Sequence, residues 1–209
     1  MLMADYICSV PGNATVASCE RTLHLVDADN LLGDPNTVDR GLIRSVFAQY
    51  RRTAGYRAGD QVVVATGRNG LHVFEVEAAW PGVLHRRRSG EDGADLELLD
   101  EADWASRSGR FGRVVIGSGD RIFMTAIDVL RLADVAVDVV ARRESLATCL
   151  ALQTRGHVFA LDGSGEIRPS AARFRRPRRL PSPLSRLGPL APMTSEVEPN
   201  SCVELMASA

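Results

Sequence analysis

Between residues 22 and 162, short continuous apolar runs alternate with amphipathic stretches, and this alternation constrains the fold more than any other feature of the chain. TLHLVD (22–27), QVVVAT (61–66), RVVIGSG (113–119) and VAVDVVA (135–141) are apolar at consecutive positions, as strands buried on both faces are. GVLHRR (82–87) is a weaker run of the same kind, and HVFALD (157–162) closes the series. Helical periodicity fills the intervals. Residues 37–55 place Leu42, Ile43, Val46 and Phe47 on one stripe, with Thr37 as the expected N-cap and Gly55 as the stop. A turn at GRNG leads into a short helix around 70–79. Residues 93–109 are expected to turn Leu96, Leu99 and Trp104 inward, and helices are also expected over 120–133 and 145–153. Buried strands separated by helices give an α/β fold, a mainly parallel sheet covered on both faces and joined by right-handed crossovers.

That reading sets the domain limits. Residues 1–20 have no clear periodicity and are expected to form a loose extension; residues 21–163 are expected to form one domain. Seven of the ten prolines fall between 169 and 199, interleaved with RFRRPRR (173–179), so 164–209 reads as a disordered Pro/Arg-rich tail. No apolar run approaches the roughly 20 residues needed to span a bilayer, which argues against a membrane protein. Cys8, Cys19, Cys149 and Cys202 show neither C-x-x-C spacing nor a His at zinc-ligand spacing, and they read as reduced thiols. The first residues lack a basic stretch followed by an apolar block, so a cytoplasmic protein is expected, with a homo-oligomer left open.

Chemistry concentrates where the strands end. In an open α/β sheet, ligands bind beyond the carboxyl ends of the strands, near the point where strand order reverses. Asp27 ends the first strand and is followed by Asp29 and Asn30; Asp95 opens a mid-chain helix; Asp120 follows the apolar run at 113–119. An Asp in the first turn of a helix often serves only as a cap. Three carboxylates converging from separate strand ends would instead repel one another unless a cation lies between them, and an all-oxygen set suits Mg²⁺ or Mn²⁺ better than zinc. All 25 basic residues are Arg, so no mechanism that requires a Lys can operate. The net charge of −1 argues against wholesale coating of nucleic acid, although Arg86, Arg87 and Arg88 form a local candidate for RNA-backbone contact.

The segments LVDADNL, GADLELLDEA and VVIGSGDRIF, with VAVDVVA following, resemble the NYN domains of the PIN-like nuclease superfamily over about residues 22–162. The resemblance implies a PIN-like three-layer fold and a Mg²⁺- or Mn²⁺-dependent ribonuclease acting on RNA, expected to be single-stranded. It assigns Asp27, Asp95 and Asp120 as catalytic metal ligands, with Asp29, Asn30 and Ser118 in support. Two positions depart from the family pattern. Ile122 stands where many members carry a second Asp, and Glu91 and Asp92 precede Asp95 where many have a basic residue. A PIN-like module that binds RNA or protein without cutting is therefore the main alternative.

DADN also matches the Asp-x-Asp opening of haloacid-dehalogenase-type phosphatases, but those enzymes normally use a Lys to steady the phosphoaspartate, and this chain has none. No P-loop, nucleophile elbow or Gly-rich dinucleotide fingerprint is present. His24 and His157 sit in apolar patterns and read as core residues; His72 and His85 lack partners at ligand spacing.

Overall fold

A computed structural model describes residues 21–67 and 72–168. The expected extension at 1–20, most of the GRNG turn and the tail from 169 onward lie outside the described residues. Six strands, β1 (Thr22–Asp27), β2 (Gln61–Gly67), β3 (Leu84–Arg88), β4 (Arg113–Gly117), β5 (Ala136–Ala141) and β6 (Val158–Ala160), form one sheet in the order β3-β2-β1-β4-β5-β6. All five pairings are parallel. The order reverses between β1 and β4, which makes their carboxyl ends the switch point of the sheet.

Helices α1 (Ala28–Leu32), α2 (Arg40–Ala54) and α3 (Val73–Ala79) cover one face; α4 (Gly93–Ser108), α5 (Met124–Leu132) and α6 (Thr148–Gln153) cover the other. The result is the expected three-layer α/β fold with a parallel sheet. Strand side chains alternate between the two cores because successive Cβ atoms point to opposite faces. Leu23 and Leu25, Val63 and Ala65, Val114 and Ile116, and Val137, Val139 and Ala141 pack under α4, α5 and α6. Val26, Val62, Val64, Val115 and Val140 pack under α2 and its neighbours. Continuing this alternation, Asp27 ends β1 on the α4 side.

Several helix details differ from the sequence expectation. Thr37 closes a short 3-10 turn, and α2 starts later, capped by Asp39, whose Oδ1 accepts the Leu42 N–H at 2.7 Å. Leu42 then lies outside the stripe and is exposed, while Ile43, Val46, Phe47 and Tyr50 are buried. Gly55 ends α2 in the left-handed conformation as expected. The buried face of α4 is Ala94, Leu98, Ala102 and Ala105 rather than Leu96, Leu99 and Trp104. Small side chains let this helix lie close to the sheet; Leu99 only borders the core and Trp104 is exposed against Phe111. His24 is a core residue, its ring between the Tyr50 hydroxyl at 3.2 Å and Asp60 at 3.4 Å. His157 is not: it precedes β6, is exposed and pairs with Glu166 at 2.9 Å, which raises its pKa. The tail expected from residue 164 does not begin there: the Ile167 N–H donates to the Val158 carbonyl and Glu166 bridges Phe159, so 166–167 return to β6. Among the described residues no helix is long and apolar enough to cross a membrane.

Candidate active site at the switch point

Asp27 is both the last residue of β1 and the N-cap of α1. Its Oδ1 accepts the Asn30 N–H at 3.0 Å, and its Oδ2 accepts the Ser118 hydroxyl at 3.1 Å. The carboxylate exposes 3 % of its surface and Ser118 none. Asn30 ties three segments together: its Oδ1 accepts the Gly119 N–H at 3.0 Å and the Ser145 hydroxyl at 3.2 Å. The glycine of the SGD segment is required for this junction. A Cβ on Gly119 would lie 2.5 Å from the Ser145 carbonyl oxygen, so any larger residue would pry the β4 loop from the loop after β5. Ser118 also accepts the Asp120 N–H at 3.2 Å. The supporting roles expected for Asn30 and Ser118 thus have a concrete form, and Ser145, which no motif singled out, completes them.

The GAD segment has an equally physical reading. A Cβ on Gly93 would sit 2.3 Å from the Arg88 carbonyl oxygen. Glycine therefore allows the start of α4 to press against the end of β3, which sets Asp95 opposite the end of β1. There the Asp95 and Asp27 carboxyls lie within side-chain hydrogen-bonding reach of each other. Burial, followed by the charge of Asp95, holds the Asp27 carboxyl well above the usual carboxylate range, against the pull of the Asn30 N–H and the Ser118 hydroxyl. Burial also pushes Asp95 up to about 6; its contact with Asp27 opposes the shift, and the charges of Asp120, Asp92 and Asp29 add to it. One Asp95 oxygen, Oδ1, is buried with no hydrogen-bond partner. A buried acid beside a half-buried one, with one oxygen orphaned, is costly unless a proton or a cation lies between them.

Asp120 and Asp29 occupy the rim. Asp120 is near enough to Asp95 for their charges to interact, but its Oδ1 caps the following 3-10 turn by accepting the Ile122 N–H at 3.0 Å. The Ile122 side chain packs against the core. Asp29 reaches across the sheet, its Oδ2 accepting the Gly67 N–H at the end of β2 at 2.7 Å. Among the described residues no group of three or more His, Cys, Asp or Glu side chains is gathered closely enough to hold a metal ion. The structure therefore brings together a pair, Asp27 and Asp95, with Asp120 adjoining it rather than completing a closed cage.

The three arginines of β3 are occupied within the chain. Arg86 donates to Glu101 from Nε and Nη2 at 2.9 and 2.7 Å, Arg88 reaches Asp100 at 3.3 Å, and Arg87 pairs with Glu77. The acids on the middle of α4 are thereby accounted for as ion-pair partners of the edge strand.

Fold and site together define the class: a three-layer parallel α/β protein with a pair of acids, one buried and one half-buried, at its switch point. The same strand order serves dinucleotide-binding sheets, where a Gly-rich turn after β1 lies against a pyrophosphate. Here a buried carboxylate stands at that place and would repel the phosphate. No family model matches the chain, and no curated protein sequence matches it.

Proposed function

We propose that the chain is a divalent-metal-dependent ribonuclease that hydrolyses RNA phosphodiester bonds at the Asp27–Asp95 pair. The observation that carries this reading is the adjacency of the buried Asp27 and half-buried Asp95 carboxyls, with no cation among the described residues paired to either and with Asp95 Oδ1 buried and unpartnered. Mg²⁺ is commonly held by only one or two carboxylates, with waters and substrate phosphate filling the other positions. The pair therefore fits Mg²⁺ or Mn²⁺ without a third ligand. Such an ion supplies a lowered pKa for bound water and charge neutralisation at phosphate. The residues of the chain do the rest. Ser118 and the Asn30 N–H fix the Asp27 carboxylate, and Asn30 clamps the β4 and β5 loops around it. Asp120 adds negative charge at the rim, where it favours a cation. The likeness of LVDADNL, GAD and SGD to NYN domains supports the choice of RNA as substrate.

The test is Mn²⁺-dependent cleavage of a single-stranded RNA. Asp95→Asn is expected to lower the rate on the order of 100-fold or more, because an oxygen ligand is lost at the site of charge development. Asp120→Asn is expected to lower it less. Full activity in either variant overturns the assignment of these acids.

A second reading, a PIN-like module that binds RNA or protein without cutting, draws on the absence of a three-acid cage among the described residues and on Ile122 being a core contact. RNA binding that persists in purified protein without Mn²⁺-dependent cleavage would favour it. A phosphatase in which Asp27 attacks phosphorus has less support, because that side chain is almost fully buried and both its oxygens accept hydrogen bonds.

A further inference from the structure

Phe74, in the first turn of α3, exposes 76 % of its surface, although the buried side of that helix is already supplied by Val73 and Val76. Its ring has company of one kind. The Arg87 guanidinium carbon lies 5.4 Å from the ring centroid, and Arg40 and Arg44 line the same depression as Phe74. Two acids partly offset these charges: Arg87 pairs with Glu77, and Arg40 lies 3.8 Å from Glu75. Arg44 has no ion pair to a described residue. The surface thus combines an open aromatic face with three guanidinium groups against two carboxylates.

Topology places this surface at the same carboxyl edge of the sheet as the acidic pair, but on the α2–α3 face, whereas Asp27 and Asp95 lie toward α4. Arg87 and Arg88 stand in register with Thr66 and Gly67 at the carboxyl end of β2. The N–H of that same Gly67 holds Asp29. Arg40 begins α2 and Phe74 lies in the first turn of α3, both on the edge of the sheet where β1 and β2 end.

We propose that Phe74 is a base-stacking subsite for single-stranded RNA, with Arg40, Arg44 and Arg87 meeting the adjoining phosphates, so that the strand passes over the carboxyl edge of the sheet from this face to the bond held at Asp27 and Asp95. This extends the ribonuclease reading above and rests on RNA being the ligand. An exposed ring accepts any base on its face, and arginines beside it follow the backbone, the combination that single-strand binders use. It also divides the arginines of β3: Arg86 and Arg88 are held by acids of α4, and Arg87 alone leans on an exposed ring.

The experiment is fluorescence anisotropy of a 5′-fluorescein-labelled 12-nucleotide oligouridylate with the full chain in EDTA, so that nothing is cut. Phe74→Ala is expected to weaken binding about 5- to 100-fold, the range for loss of one base–aromatic stack. Phe74→Trp restores binding, and its emission, relative to wild type, is quenched by RNA. Arg44→Ala flattens the salt dependence by about 0.7 in log–log slope, as expected for one phosphate contact to a single strand. Leu132→Ala, which removes another exposed apolar side chain, leaves binding unchanged. Wild-type affinity in Phe74→Ala, or no binding by the wild type, overturns the subsite. Binding that depends on Phe74 without any Mn²⁺-dependent cleavage leaves the subsite standing and removes the nuclease reading. Cleavage by the wild type with an unchanged KM and affinity in Phe74→Ala does the reverse.

Discussion

Two carboxylates are buried in this sheet, and they are treated differently. Asp138, near the amino end of β5, exposes 7 % of its surface; its Oδ2 accepts from Arg113 at 2.8 Å and its Oδ1 accepts the His157 N–H at 2.7 Å. Asp27, at the carboxyl end of β1, exposes 3 % and has a hydroxyl, a backbone N–H and a second carboxyl, but no cation among the described residues. Asp138 has an internal counter-charge; among the described residues Asp27 has none. A buried carboxylate with an internal guanidinium holds the fold together, whereas a pair without one is expected to gain stability from a bound cation.

The largest expected effect lies at the compensated end. Asp138→Ala should cost about 2–3 kcal/mol in urea denaturation, toward the low side for breaking a buried pair because Arg113 is partly exposed and can be rehydrated. Asp27→Asn should not destabilise the metal-free protein at pH 7 and is expected to stabilise it, since it removes a desolvated charge beside Asp95. A loss of stability as large as that of Asp138→Ala would erase the contrast.

Next in size is the response to Mn²⁺. A ligand that binds only the folded state at 100 times its Kd adds about 2.7 kcal/mol. A rise in melting temperature with Mn²⁺ is therefore expected in the wild type and its loss in Asp95→Asn; equal shifts in both would place the ion elsewhere.

Proton linkage gives a third test, with a definite sign. The folded pKa values of Asp27 and Asp95 are raised, Asp95 to about 6 from an ordinary value of 3.8. Between about pH 4 and 6 the folded state therefore binds more protons than the unfolded state, and stability from this pair falls as pH rises. The penalty is absent below the unfolded pKa and complete above the folded one. Urea midpoints of the metal-free wild type and of Asp95→Asn should diverge across that window, the wild type losing more on going up. Parallel curves would mean that the Asp95 carboxyl is not raised by its burial in the folded state.

The smallest effect is expected on β3. Arg86→Ala breaks an ion pair in which the arginine is well exposed and should cost less than 1 kcal/mol. A cost above 2 kcal/mol would show that the acids of α4 depend on β3 as Asp138 depends on Arg113.

The strands were legible because burial on both faces leaves a continuous apolar run that few other structures produce, and their boundaries shifted by only a few residues. The helix faces were less so. Residues 93–109 were expected to turn Leu96, Leu99 and Trp104 inward, yet Ala94, Ala102 and Ala105 face the sheet beside Leu98, since close approach there favours small side chains over apolar bulk. Asp39 rather than Thr37 caps α2 because Thr37 belongs to the Pro35–Thr37 3-10 turn, whose Asp34-Pro35 start is a turn signal that the helical periodicity alone does not take into account.

By itself the sequence determined an α/β protein with acids at the ends of its first and fourth strands, because hydrophobic period and strand length are local properties. Only the tertiary structure decided which acids meet. Asp27 and Asp95 are 68 positions apart, and their contact depends on strand alternation, on the order β2-β1-β4, and on Gly93 allowing α4 to close on β3. Asp120 carries the same motif signal but is spent in part on a cap, and Ser145 carried no signal yet holds Asn30 in place. Convergence and burial depend on residues distant in the chain, and so did the difference between a carboxylate paired with an arginine and a pair of carboxylates without one.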